Sequence, residues 1–488
     1  MWQNHIKLVW LTLATIFLSF TGTAAVAAKT EKASAAKKPN ILFLFTDDQR
    51  ADTIHALGND TIITPNLDRL AEEGFAFDNA YILGSNGGAV CLPSRNMLLS
   101  GRAFTRFRRA SPPGEKYTAR YAMPDKPNVP DALKAAGYET YHHGKKYNTA
   151  RFIHPRFEHT KYVKHHNKLK NGEPGMVIVD DAIDFLKKRK TDRPFFMYLA
   201  FSEPHYLRIP GKKYLDMYDR DKIPLPENYL PIHPFKTGEE TIHEEQQEPW
   251  PRPKEAIRHN LHTYYGMITG LDHHLGRLLQ HLKESGQYDN TIIIFSGDNG
   301  LALGSHGLMG KQSIYDPSAK VPLIIAGPGI PHGRTDALVY LLDIFPTLCD
   351  MAQTPIPDGL DGKDLMPLMT GKVSGLRDTM LLIYGRTQRA LRDGRWKLIR
   401  YPRINRTQLF DLKDDPAETR DLSSDPAQAE RVASMLDLLK KRQADFGDHL
   451  PLTVTNPQSG DWTPPPRNPR FLKRYHLQAW PGPEKARK

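Results

Sequence analysis

Asp47 and Asp48 stand at the end of an apolar run that begins Asn40-Ile-Leu-Phe-Leu-Phe45, and Asp298 and Asn299 stand just past another at 291–295. Three carboxylates and an amide make an all-oxygen donor set, which suits a hard cation such as Ca²⁺ or Mg²⁺ better than zinc. Either pair alone reads equally well as a solvated turn or a helix cap. Two pairs at strand ends of one sheet point to a metal. Two further runs, at 138–141 and 195–201, are followed by Gly144-Lys145 and by Glu203-Pro204-His205, adding an ammonium and an imidazole to the same edge. Cys91 opens a segment in which Pro93 fits the first turn of a helix and Gly101 its end. A thiol at a helix N-terminus lies near exposed N–H groups and the positive end of the dipole, which favours an anion and lowers the thiol pKa. On these grounds Cys91 is a nucleophile, a structural thiol, or neither.

Elements of a particular kind must hold these positions. The run at 40–45 is fit for a buried parallel strand, and those at 138–141, 195–201, 291–295 and 321–326 are further buried-strand candidates. Thr64-Pro65 to Gly74 reads as a helix capped by Thr64. Tyr264, Ile268, Leu271, Leu275, Leu278 and Leu282 recur every three or four residues, which predicts a longer helix. Strands alternating with helices predict an α/β fold with a mostly parallel central sheet flanked by helices, whose ligands bind at the carboxyl ends of the strands. After residue 372, strand signals at 381–384 and 396–401 and a helical stretch at 427–442 predict a smaller C-terminal α+β subdomain. Residues 224–254, rich in Pro, Glu and His, read as a long surface insertion.

Cys91-x-Pro93-Ser94-Arg95, followed by Leu98-Leu99-x-Gly101-Arg102, resembles the signature of the formylglycine-dependent sulfatases of the alkaline phosphatase superfamily. Other segments match in the family's order: Pro39-Asn40 to Asp48, Thr64-Pro65-Asn66-Leu67-Asp68, Gly137-Tyr138-x-Thr140 with Gly144-Lys145, Pro204-His205, and Asp298-Asn299-Gly300 with His306 and Lys311. The resemblance covers residues 39–422. It implies that a formylglycine-generating maturation enzyme oxidises Cys91, and that the hydrated aldehyde is a gem-diol. One diol oxygen attacks the sulfur of a sulfate ester, and the other then loses its proton and expels sulfate. It also implies that Asp47, Asp48, Asp298 and Asn299, together with residue 91, hold Ca²⁺ in preference to Mg²⁺. Arg95, Lys145 and Lys311 would neutralise charge on the sulfate oxygens, and His205, or Lys311 beside it, would protonate the leaving alkoxide. His306 could touch substrate or simply stabilise its own turn.

The chain departs from the family after the Gly-Lys pair, where a histidine is common two or three residues on. Asn148 stands there as a substrate-binding candidate, and an amide cannot act as a base. His142, His143 or His205 must then take the diol proton, or that step is slower. Leu92 also occupies a place where a small or hydroxyl residue is more frequent. His259, His262, His273 and His274 read as packed or solvated, because no carboxylate pattern accompanies them.

Lys7, an apolar run at 8–20 and Ala25-Val26-Ala27 have the pattern of a secretory signal peptide, so a secreted or periplasmic location is expected. No other stretch is long and apolar enough for stable membrane insertion. The domain reading is a signal peptide at 1–27, a linker at 28–38, a catalytic domain at 39–371, a subdomain at 372–450 and an extended Pro-rich basic tail at 451–488. With 39% hydrophobic and 25% charged residues the chain has an ordinary globular composition, which argues against disorder. Of its 2 cysteines, Cys349 reads as a small buried hydrophobe, so the fold rests on its core. A net charge of +12 suits an anionic partner. Together these features predict hydrolysis of sulfate esters on a sulfated carbohydrate, with no nucleic-acid partner; the oligomeric state is left open. Two alternatives stand beside it: a phosphodiester or phosphonate-ester hydrolase of the same superfamily, and, because of Asn148, a sulfoglycan-binding protein impaired in turnover.

Overall fold

Seven consecutive buried residues, Asn40–Thr46 (β1), form a central strand of an 8-stranded sheet in the computed structural model of the protein, which describes residues 37–110, 119–123, 125–163, 169–475 and 480–481. The signal peptide read at 1–27 and all but the end of the linker lie outside the described residues. Along the chain follow β2 (Phe75–Tyr81), β3 (Gly84–Ser85), a hairpin of β4 (Arg108–Ala110) and β5 (Ala119–Ala122), β6 (Glu139–Gly144), β7 (His159–Tyr162), β8 (Phe195–Ala200), β9 (Thr291–Gly297), β10 (Leu323–Ala326) and β11 (Gly333–Tyr340). The sheet order is β11-β2-β10-β9-β1-β8-β6-β7, and every pairing is parallel except those of β10. The buried strand expected at 321–326 is present as β10, and it is the one that runs antiparallel to its neighbours. The chain from 298 to 322 doubles back on itself, with Leu301 N–H bonded to Pro317 O at 2.7 Å and Gly300 N–H to Ser318 O at 3.0 Å, so β10 re-enters from the end at which β9 left.

Alternation along β1 explains its burial on both sides. Ile41, Phe43 and Phe45 join one apolar cluster and Leu42 and Leu44 another. The first cluster packs against helix residues Met97, Leu98, Val129, Leu133 and Phe345. The second packs against Ile178 and Val179 of the helix Met176–Lys188 and Leu271, Leu275, Leu278 and Leu282 of the long helix Lys254–Glu284. The predicted α/β architecture is the observed one, and Cys349 is buried as a free thiol.

The helix Pro65–Glu73 (α1) forms where expected but is capped differently. The Thr64 hydroxyl donates to Asp68 Oδ1 at 3.0 Å, and the free N–H groups of Asn66 and Leu67 donate to the Asp272 carboxylate of the long helix at 3.2 and 2.8 Å. A tertiary contact thus replaces the local cap.

Past the main sheet, β12 (Met380–Tyr384), β13 (Gln388–Arg392), β14 (Trp396–Tyr401) and β15 (Arg406–Asp411) form an antiparallel meander, followed by the helix Ala429–Asp445. This is the expected subdomain with its own sheet. The meander gains a fifth strand from far upstream, because β3 pairs in parallel with β12. Gly84 permits this: its φ is 119°, and a Cβ there would stand 1.8 Å from Ile383 O. The loop leading to Cys91 is thereby fastened to the C-terminal sheet.

Two surface readings are corrected. The 224–254 segment is not wholly on the surface, since Glu244 to Glu248 and Arg252 within it are buried and Arg252 pairs with Glu245 at 2.8 Å. The tail is not wholly extended: it includes the helix Pro469–Tyr475, and it packs on that segment through Arg467 Nη1 to Gln247 O at 3.1 Å and Asn468 N–H to Gln246 Oε1 at 2.7 Å. Among the described residues no helix is long and apolar enough to cross a membrane.

Candidate active site

The carboxyl ends of β1, β8 and β9 are bonded together just beyond their last pairs. Asp47 N–H donates to Glu203 O at 3.0 Å, Asp298 N–H to Thr46 O at 3.1 Å, and Asp48 N–H to Asp298 Oδ1 at 3.0 Å. Asp48 takes a φ of 65°, and its carbonyl accepts the Tyr264 hydroxyl at 2.5 Å, which fixes this turn. Tyr264 was legible only as an apolar helix position; nothing in the spacing marks the reach of its hydroxyl to the site.

Cys91 is the first residue of the helix Cys91–Ser100 (α2), and Gly101 ends that helix with φ 64°. Cys91 Sγ lies 3.3 Å from Asp47 Oδ1, 3.8 Å from Asp48 Oδ1 and 2.9 Å from Lys311 Nζ. The thiol pKa is not lowered as its place on the helix predicts. Burial, and after it the charges of Asp298 and Asp47, push it well above its ordinary value.

Charge is balanced around this sulfur. Arg95 Nε donates to Asp298 Oδ2 at 2.7 Å, and its Nη2 lies 3.3 Å from Asp47 Oδ2, all with no exposure. Lys145 pairs with Asp47, and Lys311 with Asp48 Oδ1 at 2.6 Å. Burial alone would raise the Asp47 pKa, but Lys145 and Arg95 outweigh it and hold the carboxyl far below the usual range. Asp48 is likewise held low against burial, chiefly by Lys311. Asp298 is pushed up to about 6, by burial first and then by the charge of Asp47. The buried Asp48 Oδ2 and Asn299 Oδ1 take no hydrogen bond among the described residues, while Asn299 Nδ2 donates to Asp48 Oδ1 at 2.8 Å. Oxygen acceptors left bare beside carboxylates are the donor set of a hard cation.

His205 Nε2 stands 3.7 Å from Asp48 Oδ2. Its Nδ1 is 2.7 Å from Tyr206 O; a carbonyl only accepts, so Nδ1 carries the proton and the Nε2 lone pair faces the cluster. Burial lowers its pKa to about 4. Asp47, Asp48, Cys91 and His205 offer ligand atoms within 4.8 Å of one another. Of the three histidines considered in place of one at Asn148, His205 alone is in this group. His142 is buried against His154, ring centroids 3.7 Å apart, and His143 points to the other face, 3.6 Å from Asp181. Asn148 is exposed, with φ 48°, in the loop after Lys145. His306 lies flat on Tyr315 at 3.8 Å, 3.0 Å from Asn228 Nδ2 and 3.9 Å from Glu418; its neighbours here are those of a packed turn. His274 and His262 are tied to Glu173 and Leu215 O, each at 2.9 Å, as packed groups.

The family profile described as "Sulfatase" matches residues 39–354. The chain belongs to the sulfatase family. A second profile, "N-sulphoglucosamine sulphohydrolase, C-terminal", matches residues 304–445 of this sulfatase. An arylsulfatase of Clostridium perfringens is 29% identical, over 83% of this chain and 94% of its own. An N-acetylglucosamine-6-O-sulfatase of Bacteroides thetaiotaomicron is 24% identical, over 90% and 92%. A solved protein in complex with its substrate D-glucosamine-2-N,6-O-disulfate superposes with a TM-score of 0.71 at 23% identity, over 85% of this chain and 99% of that one. The protein is a sulfuric ester hydrolase, and the cluster around Cys91 is where its sequence motifs meet.

Proposed function

We propose that this sulfatase hydrolyses sulfate esters of a carbohydrate, with formylglycine at position 91 as its nucleophile and Ca²⁺ as its metal. The observation that carries the reading is the meeting of Cys91 with Asp47 and Lys311, at 3.3 and 2.9 Å, inside a buried set of carboxylates and cations. Asp47, Asp48, Asp298 and Asn299 fit a hard cation by their chemistry and by the bare acceptors Asp48 Oδ2 and Asn299 Oδ1. Bound there, Ca²⁺ would supply charge that polarises a sulfate oxygen. Hydrated formylglycine would supply a diol oxygen to attack sulfur.

The chain's own groups divide the remaining work. Arg95 orients the carboxylates, being bonded to Asp298 and adjacent to Asp47. Lys145 and Lys311 are the ammonium groups placed to meet sulfate oxygens, and burial makes each worth more than it would be in water. His205 Nε2 turns its lone pair to the cluster and serves as base and acid: neutral at rest, it takes the proton of the attacking diol hydroxyl, passes it to the departing alcohol, and is then neutral again to take the second diol proton as sulfate leaves. That assignment fills the role left open by Asn148. Substrate names among the relatives and the net charge of +12 support a sulfated carbohydrate. The 1–27 segment supports a secreted or periplasmic location.

The test is mass spectrometry of the peptide containing Cys91 from protein coexpressed with a maturation enzyme, alongside turnover of para-nitrophenyl sulfate and a matched aryl phosphonate. The aldehyde form and a preference for the sulfate are expected. Active protein with Cys91 wholly unoxidised would overturn the mechanism, and faster phosphonate turnover would overturn the substrate assignment.

A further inference from the structure

His205 must hold its ring so that Nε2 reaches the cluster, and the cluster itself does not fix it there. Asp48 Oδ2, 3.7 Å from Nε2, is beyond hydrogen-bond range. The bond from Nδ1 to Tyr206 O at 2.7 Å sets the tautomer, but one bond is a pivot about which a ring can tilt. The Tyr206 ring limits that tilt: it covers one face of the imidazole, with centroids 4.0 Å apart and 32° between the planes. Tyr206 is 6% exposed, and its hydroxyl meets His243 Nε2 at 3.0 Å.

His243 is itself anchored. Its Nδ1 lies 2.9 Å from Glu244 Oε2, and a carboxylate at that distance favours the tautomer with the proton on Nδ1. The Nε2 lone pair is then left to accept the Tyr206 hydroxyl. The next residue fixes the segment. The Glu245 carboxylate accepts the Met309 and Gly310 N–H groups at 2.9 and 2.7 Å and pairs with Arg252 at 2.8 Å. Those two amides belong to the turn that leads to Lys311. On the outside the tail holds the same stretch through Asn468 to Gln246 and Arg467 to Gln247, and the Phe471 ring stands 5.9 Å from that of His243.

We propose that Tyr206 and His243 are positioning residues of the sulfatase reaction, holding the His205 ring with Nε2 towards the nucleophile and the departing oxygen; this rests on the reading of His205 as acid and base. Proton transfer needs the ring nitrogen within hydrogen-bond reach of the reacting oxygen. A misplacement of about 1 Å costs up to about 10²-fold in rate. Apolar packing alone would cover the imidazole face yet leave the covering ring free to slide. The hydroxyl bond to His243 removes that freedom, and Glu244 and Glu245 tie His243 to the body of the protein. The stretch that reads from sequence as a surface insertion thereby reaches the reacting centre through Tyr206.

The experiment measures kcat and KM of the matured, metal-loaded enzyme on phenyl sulfate and para-nitrophenyl sulfate, which differ chiefly in how much the departing oxygen needs a proton. Tyr206→Phe and His243→Ala are each expected to lower kcat on phenyl sulfate about tenfold, and on the nitrophenyl ester less, with KM little changed. Both remove the same bond, so the double variant should be no slower than the slower single one. His243→Gln, whose amide oxygen can accept the Tyr206 hydroxyl, should recover most of the loss. Unchanged rates in both single variants, losses equal on the two esters, or losses that multiply in the double variant would each overturn the inference. Tyr206→Phe keeps the buried ring, so its two rates decide the matter even where the His243 variants fold poorly. His205→Ala, measured alongside, separates the two readings: equal losses on the two esters there would overturn the acid role of His205 on which the inference rests.

Discussion

Arg95 contacts Asp298 and Asp47 directly and has no exposure, so its removal would leave buried carboxylates facing two ammonium groups. Breaking a buried pair from one side costs about 3–5 kcal/mol. Arg95→Ala should therefore lower the thermal midpoint in calorimetry; an unchanged midpoint would mean that its partners are hydrated. His205 invites a different measurement. If its Nε2 protonates the leaving group, His205→Ala should slow an alkyl or sugar sulfate by about 10²–10⁴-fold. It should slow para-nitrophenyl sulfate less, because nitrophenolate leaves without a proton and only the base role is lost there; equal losses on both esters would remove the general-acid role. At this scale the sequence was most legible where type and spacing coincide, as at Cys91, Asp47, Asp48 and Asp298. It was silent where a side chain acts from a distant element, as Tyr264 does on Asp48. His306 shows the converse: a motif position whose ring packs on Tyr315, away from the cluster.

Elements were legible wherever their periodicity was strong. β1, β8, β9 and the long helix follow the apolar runs that predicted them. Capping was not, because the group that caps α1 lies about two hundred residues away in Asp272. That carboxyl also carries a pH signature. Burial raises its pKa to about 6 from 3.8. A carboxyl with a raised folded pKa binds its proton more tightly in the fold, so its contribution is fully present below about pH 4 and is lost as pH rises through about 6. The stability of native protein relative to Asp272→Asn should fall by roughly 3 kcal/mol between pH 4 and 7. Urea denaturation at the two pH values measures this, and a difference independent of pH would show that Asp272 does not titrate in that window.

Across the whole molecule, the metal is the lever that tests assembly of the site. Chelation should abolish turnover, and Ca²⁺ should restore it more fully than Mg²⁺. Saturating Ca²⁺ at a hundred times its Kd should also stabilise the fold by about 2.7 kcal/mol, visible as a higher melting temperature without any assay of activity. A melting temperature unmoved by Ca²⁺ would argue against the assigned ligands. The sequence by itself determined the α/β class, the subdomain and the residues of the Cys91 cluster, because apolar period and local motif are properties of neighbouring residues. Only the tertiary structure decided the antiparallel direction of β10, the burial of Glu244 to Glu248 and the packing of the tail on that stretch, the joining of β3 to the C-terminal sheet, and the presence of His205 rather than His142 or His143 at the cluster. Each of these depends on contacts between segments far apart in the chain, which no local pattern encodes.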